Sequence, residues 1–273
     1  MMKTTVSIVT ISYNAAAEIE KTIRSVLSQT YTDYEYVFID GASKDATVEL
    51  IESYRADFEE KGVAYRVYSE TDKGIYDAMN KGVDRIQGEW TVMLNAGDCF
   101  SDERVLEDIF SKTTYTHAAV YGDAVLTESN GTTEYRRDCP AAPIEAIREH
   151  IPFCHQSVFV RSEELARYRF DTQWKLAADY DQFVRMYLDG KTFCHVPRVV
   201  AAYDYAGASI QNAAKTIDES NQIRRQAGFY RKTDGLKASL QKGKMRLRTY
   251  VRKLLPQIYF SESRGWYPAT KSE

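Results

Sequence analysis

The chain has 273 residues, 44% of them hydrophobic and 27% charged, with a formal net charge of -3. That length and composition allow a sizeable core and exclude a disordered chain. No run of about 18 apolar residues offers a membrane span, and MMKTTVSIVTISYN lacks the basic segment and cleavage site of a secretory leader, so a cytoplasmic location is expected.

The first hundred residues alternate between two periods. Val6 to Ser12 reads as a continuous apolar-rich strand, and Ile19, Ile23, Val26 and Leu27 give Glu18 to Leu27 a helical spacing. Tyr34 to Asp40 is the second strand. Val48, Ile51, Tyr54 and Phe58 mark the second helix, with Ser43 or Asp45 available as its cap. Ala64 to Ser69 is the third strand, a helix with Ile75, Met79, Val83 and Ile86 on one side follows, and Trp90 to Leu94 is the fourth strand. Strands alternating with helices predict a parallel sheet covered on both faces, with right-handed crossovers. The fourth strand runs into Asn95-Ala96-Gly97-Asp98, which sets a carboxylate at the carboxyl edge of that sheet, where ligands of open α/β sheets bind.

After Asp98 the pattern is mixed. A short helix is predicted over Val105 to Phe110, a strand over Ala118 to Asp123, and a hairpin over residues 124 to 136 with Asn130-Gly131 at its turn. Asp138 to Pro152, with three prolines, reads as irregular and flexible; His155 to Val160 reads as a strand, Asp179 to Leu188 as a helix, and Thr192 to Tyr205 as one or two strands broken at Pro197. Cys99, Cys139, Cys154 and Cys194 form no C-x-x-C pair, and the four histidines lack ligand spacing, so reduced thiols are expected and neither a zinc site nor a disulfide framework.

Charge is concentrated at the end of the chain. Residues 231 to 253 hold nine Lys or Arg against Asp234 alone, leaving an acidic body with a basic tail. Leu236, Leu240, Leu247, Val251, Leu254 and Ile258 follow helical spacing beneath those charges, which is the pattern of a helix lying in an anionic membrane surface. Packing of the stripe on the domain or on a second subunit is the alternative. Nucleic acid is not expected as a partner, since no binding motif accompanies the charge and the acidic body repels a polyanion.

Four stretches in order carry a family resemblance: VSIVTISYN at 6 to 14, SVLSQTYTDYEYVFIDGASKDAT at 25 to 47, SETDKGIYDAMNKGVDRIQGEWTVMLNAGD at 69 to 98, and ADYDQFVR at 178 to 185. Together they resemble the inverting GT-A glycosyltransferases of family 2, of the bacterial surface-polysaccharide type. The resemblance implies a Rossmann-like nucleotide-sugar-binding fold, mostly parallel with a mixed second half, over residues 1 to 230, and a basic amphipathic tail over 231 to 273. It implies a nucleotide-sugar donor, UDP-linked, and a glycan or lipid-linked acceptor; the basic stripe would add peripheral attachment to the inner membrane face.

The resemblance also assigns roles. Asp98 matches the metal-holding carboxylate of the family's D-x-D motif, here reduced to NAGD, and would hold Mg or Mn largely through the donor's phosphates and water. Asp40 matches the acid that meets the nucleotide base, followed by Gly41-Ala42 where a second Asp and a Gly are more usual, with Ser12 and Tyr13 beside it. Asp72, Lys73 and Asn80 fall over the donor. Asp179 matches the catalytic base, although the Glu usual before it is Ala178, and Asp181 is its understudy on the acceptor side. His155 and Gln156 match a polar pair lining the acceptor pocket. The eroded motifs leave a rival, a degenerate transferase that binds sugar nucleotide or glycan without turnover. A nucleotidyltransferase or nicotinamide dehydrogenase would want a glycine-rich loop after the first strand, and SYNAAAE has no glycine.

Overall fold

The structure, a computed structural model, describes residues 5–129, 132–204 and 211–269. The expected Asn130-Gly131 turn lies outside the described residues. Strands β1 (Val6–Ser12), β2 (Tyr34–Asp40) and β3 (Ala64–Ser69) pair in parallel, and β1 also pairs in parallel with β4 (Trp90–Met93). Every residue of β1, β2 and β4 is buried, as central strands covered on both faces must be. Helices α1 (Ile19–Leu27), α2 (Thr47–Ser53), α3 (Arg55–Glu60) and α5 (Val105–Phe110) supply one covering layer and pack on Ile8, Tyr36 and Phe38. Helix α4 (Ile75–Val83) packs on Val9, Val37 and Ile39 from the other face.

The single second helix expected from Val48 to Phe58 is two short ones. Neither Ser43 nor Asp45 is its N-cap: Ala46 is, while Ser43 bonds to Asp40 and Asp45 Oδ1 accepts from the Thr47 amide at 3.1 Å. Ala42 sits at φ 60°, a left-handed conformation that accounts for the glycine more usual there. In α4 Met79 and Val83 are buried as the spacing predicts and Ile86 packs beside them, but Ile75 is exposed and Tyr76 is buried in its place.

The second half extends the sheet to the order β10-β7-β6-β8-β4-β1-β2-β3, where β6 is Ala119–Ser129, β7 Glu134–Cys139, β8 Val158–Arg161 and β10 Tyr267–Pro268. β9 (Phe193–Asp204) runs parallel to β6 and pairs with the short β5 (Cys99–Phe100). β9 is not broken at Pro197. The register instead slips between Tyr121 and Asp123, placing Pro197 in a bulge where no ladder donor is needed. Gly122 makes room for it, since a Cβ there would lie 2.4 Å from the Arg198 carbonyl oxygen. Residues 138 to 152 are anchored rather than loose: a 3-10 turn, Ile144–Arg148, buries Ile147, whose carbonyl accepts from Tyr180 Oη at 2.6 Å. His155–Ser157 is likewise a 3-10 turn, not the start of β8.

Helices α6 (Ser162–Arg167), α7 (Ala178–Leu188) and α8 (Ala213–Gln226) lead to α9 (Asp234–Leu254) and α10 (Pro256–Tyr259). The residues expected to form a separate tail complete the sheet at their end. Asp234 forms a buried 2.5 Å ion pair with Arg224, β10 pairs with β7, and Tyr259, Phe260 and Trp266 close a small core over Leu126. Val251 packs on that core, whereas Leu236, Leu240, Leu247 and Leu254 are exposed, so the apolar stripe of α9 faces away from the domain. No helix among the described residues is long and apolar enough to cross a membrane.

Candidate active site

The carboxyl ends of β1, β2 and β4 meet at one edge of the sheet, and a cleft of about 950 Å³ opens there. Ser12, Tyr13, Asp72, Asn95, Asp98 and Asp179 line it, with His155 and Gln156 on the second-half wall. Asp98 and Asp179, from the two halves of the chain, thus open into one space.

Asp98 is placed by the turn after β4. Its amide donates to Asn95 O at 2.9 Å, and Gly97 supplies φ 96° while donating to Thr22 Oγ1 at 2.9 Å. The carboxylate is buried, accepting from Gln156 Nε2 at 2.6 Å and from the Asp204 amide at 3.4 Å. Burial pushes this carboxyl up to about 7 against those hydrogen bonds and the nearby Lys21 charge. Asn95 Oδ1, also in the cleft wall, is buried with no hydrogen-bond partner among the described residues. A buried carboxylate and an unpartnered amide oxygen on one turn of the cleft wall fit a hard divalent cation. Among the described residues no three His, Cys, Asp or Glu cluster as a metal site, so the remaining oxygens would come from diphosphate and water.

Asp179 lies in the first turn of α7, and Ala177, not Asp179, is the N-cap. Its Oδ1 accepts from Tyr76 Oη at 2.9 Å and its Oδ2 faces His155 Nδ1 at 3.3 Å. Burial raises its carboxyl, but the His155 hydrogen bond and charge and the Tyr76 hydroxyl outweigh it and hold the group below the ordinary carboxylate value. The helix N-terminus adds to the preference for the ionised form.

Tyr13, 64% exposed, offers an open ring face at the end of β1. Gly41 brings Asp72 close to it, because a Cβ there would lie 2.6 Å from Asp72 Oδ2 and 3.2 Å from Tyr13 Cδ2. Asp40 is fully buried beneath them. It accepts from Ser12 Oγ at 3.0 Å, the Ser43 amide at 2.9 Å, Ser43 Oγ at 2.5 Å and Ser69 Oγ at 2.7 Å, and so shapes the edge without lining the cleft.

Three further expected residues lie outside the cleft lining. Lys73 is exposed, and Asp181 pairs with Arg185 at 2.7 Å on the far side of α7. Asn80 is spent on the chain itself, donating to Phe170 O at 2.8 Å and accepting from its amide at 3.1 Å.

Sequence reasoning missed Tyr76, Asn95 as an orphaned acceptor, and Asp204, which reaches the cleft from the end of β9 and pairs with Lys21 at 3.4 Å. It also missed Glu219 of α8. That carboxylate accepts the amides of Lys175, Leu176 and Ala177 at 3.1, 2.8 and 3.1 Å, tying down the loop that leads into Asp179. Tyr76 carried a signal, a polar-tipped ring on the inward side of α4; Glu219 carried none.

Residues 7–174 match the model of the family described as glycosyl transferase family 2. The chain is 28% identical over 207 residues to a PGL/p-HBAD biosynthesis glycosyltransferase of Mycobacterium bovis, covering 74% of this chain and 77% of that one. It is 22% identical over 230 residues to the putative glycosyltransferase EpsE of Bacillus subtilis, covering 82% and 77%. Among solved structures it is similar to S. aureus TarS 1-349 in complex with UDP-GlcNAc, at TM-score 0.65 and 16% identity, covering 82% of this chain and 65% of that one. It is also similar to the mannosyltransferase PcManGT from Pyrobaculum calidifontis in complex with GDP-Man and Mn2+, at TM-score 0.63 and 19% identity, covering 83% and 65%. The fold they share with this chain is GT-A.

Proposed function

The chain belongs to glycosyl transferase family 2, and from that premise we propose that it moves a sugar, with inversion, from a UDP-linked donor to a hydroxyl of a glycan or lipid-linked glycan in polysaccharide biosynthesis. The observation that carries this reading is the single cleft shared by Asp98, Asp179 and the open ring of Tyr13. Tyr13 and Asp72 would border the nucleotide base, over an edge held rigid by Asp40. Asp98, with Asn95 and Asp204 beside it, would hold the cation. A bound divalent ion would neutralise the charge that develops on the departing diphosphate. Asp179, kept ionised, would take the proton of the acceptor hydroxyl as that oxygen attacks the anomeric carbon opposite the diphosphate. A relative described as a putative teichuronic acid biosynthesis glycosyltransferase supports the polysaccharide setting, the UDP-GlcNAc and GDP-Man complexes support a nucleotide-sugar donor, and the latter, which holds Mn2+, supports the cation.

The test is release of UDP from a panel of UDP-sugars by the purified protein, with and without manganese. Manganese-dependent release from at least one donor is expected. Binding without release from any donor, with or without candidate glycan acceptors, would leave the degenerate transferase as the better reading.

The acceptor side is read from α9. Its Leu236, Leu240, Leu247 and Leu254 are 69%, 59%, 64% and 69% exposed, and at its amino-terminal end Arg231 and Lys237 stand largely in solvent, at 4.0 and 3.9 Å from Glu149 and Asp234. An exposed apolar stripe edged by cations fits an anionic membrane surface. The core that seats α9 touches Tyr203 and Cys139, which also line the cleft, so a docked helix would bring the cleft to a membrane-borne acceptor. Wild type is expected to float with phosphatidylglycerol vesicles at low salt and to be released as salt screens the charges. Leu240→Ser/Leu247→Ser/Leu254→Ser should stay at the bottom of the gradient with unchanged UDP affinity, since all three side chains are exposed. If wild type fails to float but forms a concentration-dependent dimer that the triple variant does not, the stripe belongs to a second copy of the chain.

A further inference from the structure

The two cleft carboxylates are held by two consecutive residues of one turn. His155 and Gln156 open the 3-10 turn His155–Ser157, which is fixed from below by Ser157 Oγ, donating to Gly122 O at 3.0 Å. From this turn Gln156 Nε2 reaches Asp98 Oδ2 at 2.6 Å, and His155 Nδ1 reaches Asp179 Oδ2 at 3.3 Å. Neither side chain is left to wander. Gln156 Oε1 accepts from the Cys154 thiol at 2.9 Å, so both ends of its amide are engaged. The His155 ring stacks on Phe170 at 5.8 Å, and Phe170 stacks in turn on Tyr76 at 5.7 Å, the other side chain bonded to Asp179. Asn80 clamps Phe170 by both of its backbone groups, so the ring stack is locked to α4.

We infer that His155 and Gln156 are positioning residues, each orienting one carboxylate, so that this turn fixes where the cation-holding group stands relative to the base. The inference rests on the roles proposed above for Asp98 and Asp179. It reassigns the pair from acceptor recognition to alignment of the catalytic groups. Groups that orient a ligating carboxylate change affinity by about 10- to 100-fold when removed. Misplacing a base by a fraction of its hydrogen-bond length lowers turnover rather than binding.

The split between the two arms tests it on the full-length protein. Gln156→Ala is expected to weaken manganese-dependent UDP binding, measured by calorimetry, by about 10- to 100-fold. Metal-free UDP binding and the pH dependence of donor hydrolysis should be unchanged. Cys154→Ala should weaken it in the same direction and Cys154→Ser, which keeps a donor for Gln156 Oε1, should restore it. His155→Ala should leave UDP binding intact, lower kcat, and move the acid limb of hydrolysis to higher pH. The sign follows from the groups facing Asp179: His155 and Tyr76 hold its carboxyl down while burial raises it, and Cys154 and Lys175 are the other titratable groups nearby. Removing His155 leaves burial less opposed, and titration of the Asp179 carboxyl carbon by NMR reads the same shift without turnover.

If both substitutions lower both quantities alike, the turn is only structural and the inference falls; the same holds if neither moves. Unaltered UDP affinity in Gln156→Ala, alongside a loss in Asp98→Ala, overturns the alignment while sparing the cation reading. Normal manganese-dependent affinity in Asp98→Ala itself overturns both.

Discussion

Asp179→Asn should lose donor hydrolysis and transfer by about a hundredfold or more while binding UDP as wild type does. Asparagine has the shape of aspartate and still accepts from Tyr76 Oη, so the ring stack around the site should survive the change. What it lacks is the capacity to take a proton, which matters only in the transition state. The surroundings of Asp179 prepare that capacity. It sits in the first turn of α7, and its neighbours hold its carboxyl below the ordinary value despite burial, so the ionised form is present from neutral pH down. Activity carried by this group should therefore fall at a lower pH than an ordinary carboxylate would set. Asp181→Asn is the control, since its carboxylate pairs with Arg185 outside the cleft and should leave turnover nearly unchanged. Near-normal turnover in Asp179→Asn together with a loss in Asp181→Asn would move the base by two residues.

The parts of this molecule that were legible in its sequence are those fixed by local pattern. β1 and β2 begin and end where expected, because strands buried on both faces of a parallel sheet admit few charged residues and the turns after them are polar. Asp98 was legible because a strand followed by a tight Gly turn can set a carboxylate only at the sheet edge. Pattern failed where tertiary contacts decide. Ile75 and Tyr76 have equal claims to the inner face of α4 on spacing alone; Tyr76 goes inward because its hydroxyl finds Asp179 across 103 positions of sequence. Pro197 reads as a strand breaker, yet Gly122 on the neighbouring strand lets a bulge absorb it. Asn80 and Asp40 fall in motif positions, but their polar atoms are committed to Phe170 and to three serines. The stripe on α9 was visible; its outward direction depends on Val251 and Tyr259 docking beside Leu126, which no spacing shows.

Asp98→Ala should separate the cation from the nucleotide. Wild type should bind UDP more tightly in manganese than without it, and the variant should lose most of that increment, by at least about a hundredfold if a directly coordinating carboxylate outweighs the groups that merely orient one. The proposed donor contacts at Tyr13, Asp72 and the sheet edge would not involve Asp98, so metal-free affinity is expected to be the same in both proteins. The same substitution has an opposite effect on the ligand-free fold. Burial pushes the Asp98 carboxyl up to about 7, well above the ordinary aspartate value, so its ionisation opposes folding increasingly as pH rises from about 4 through about 7. At pH 8 the variant, relieved of that buried charge, should melt no lower than wild type when both lack ligand. Wild type should overtake it once manganese and UDP are added, because a ligand bound only to the folded state raises its melting temperature. This crossing distinguishes loss of a ligand site from loss of structure, which would lower melting in both conditions. Equal UDP affinity of the two proteins in manganese would end the metal role of Asp98 and require the diphosphate charge to be met elsewhere in the cleft, with Lys21, paired to Asp204 beside it, the first side chain to replace.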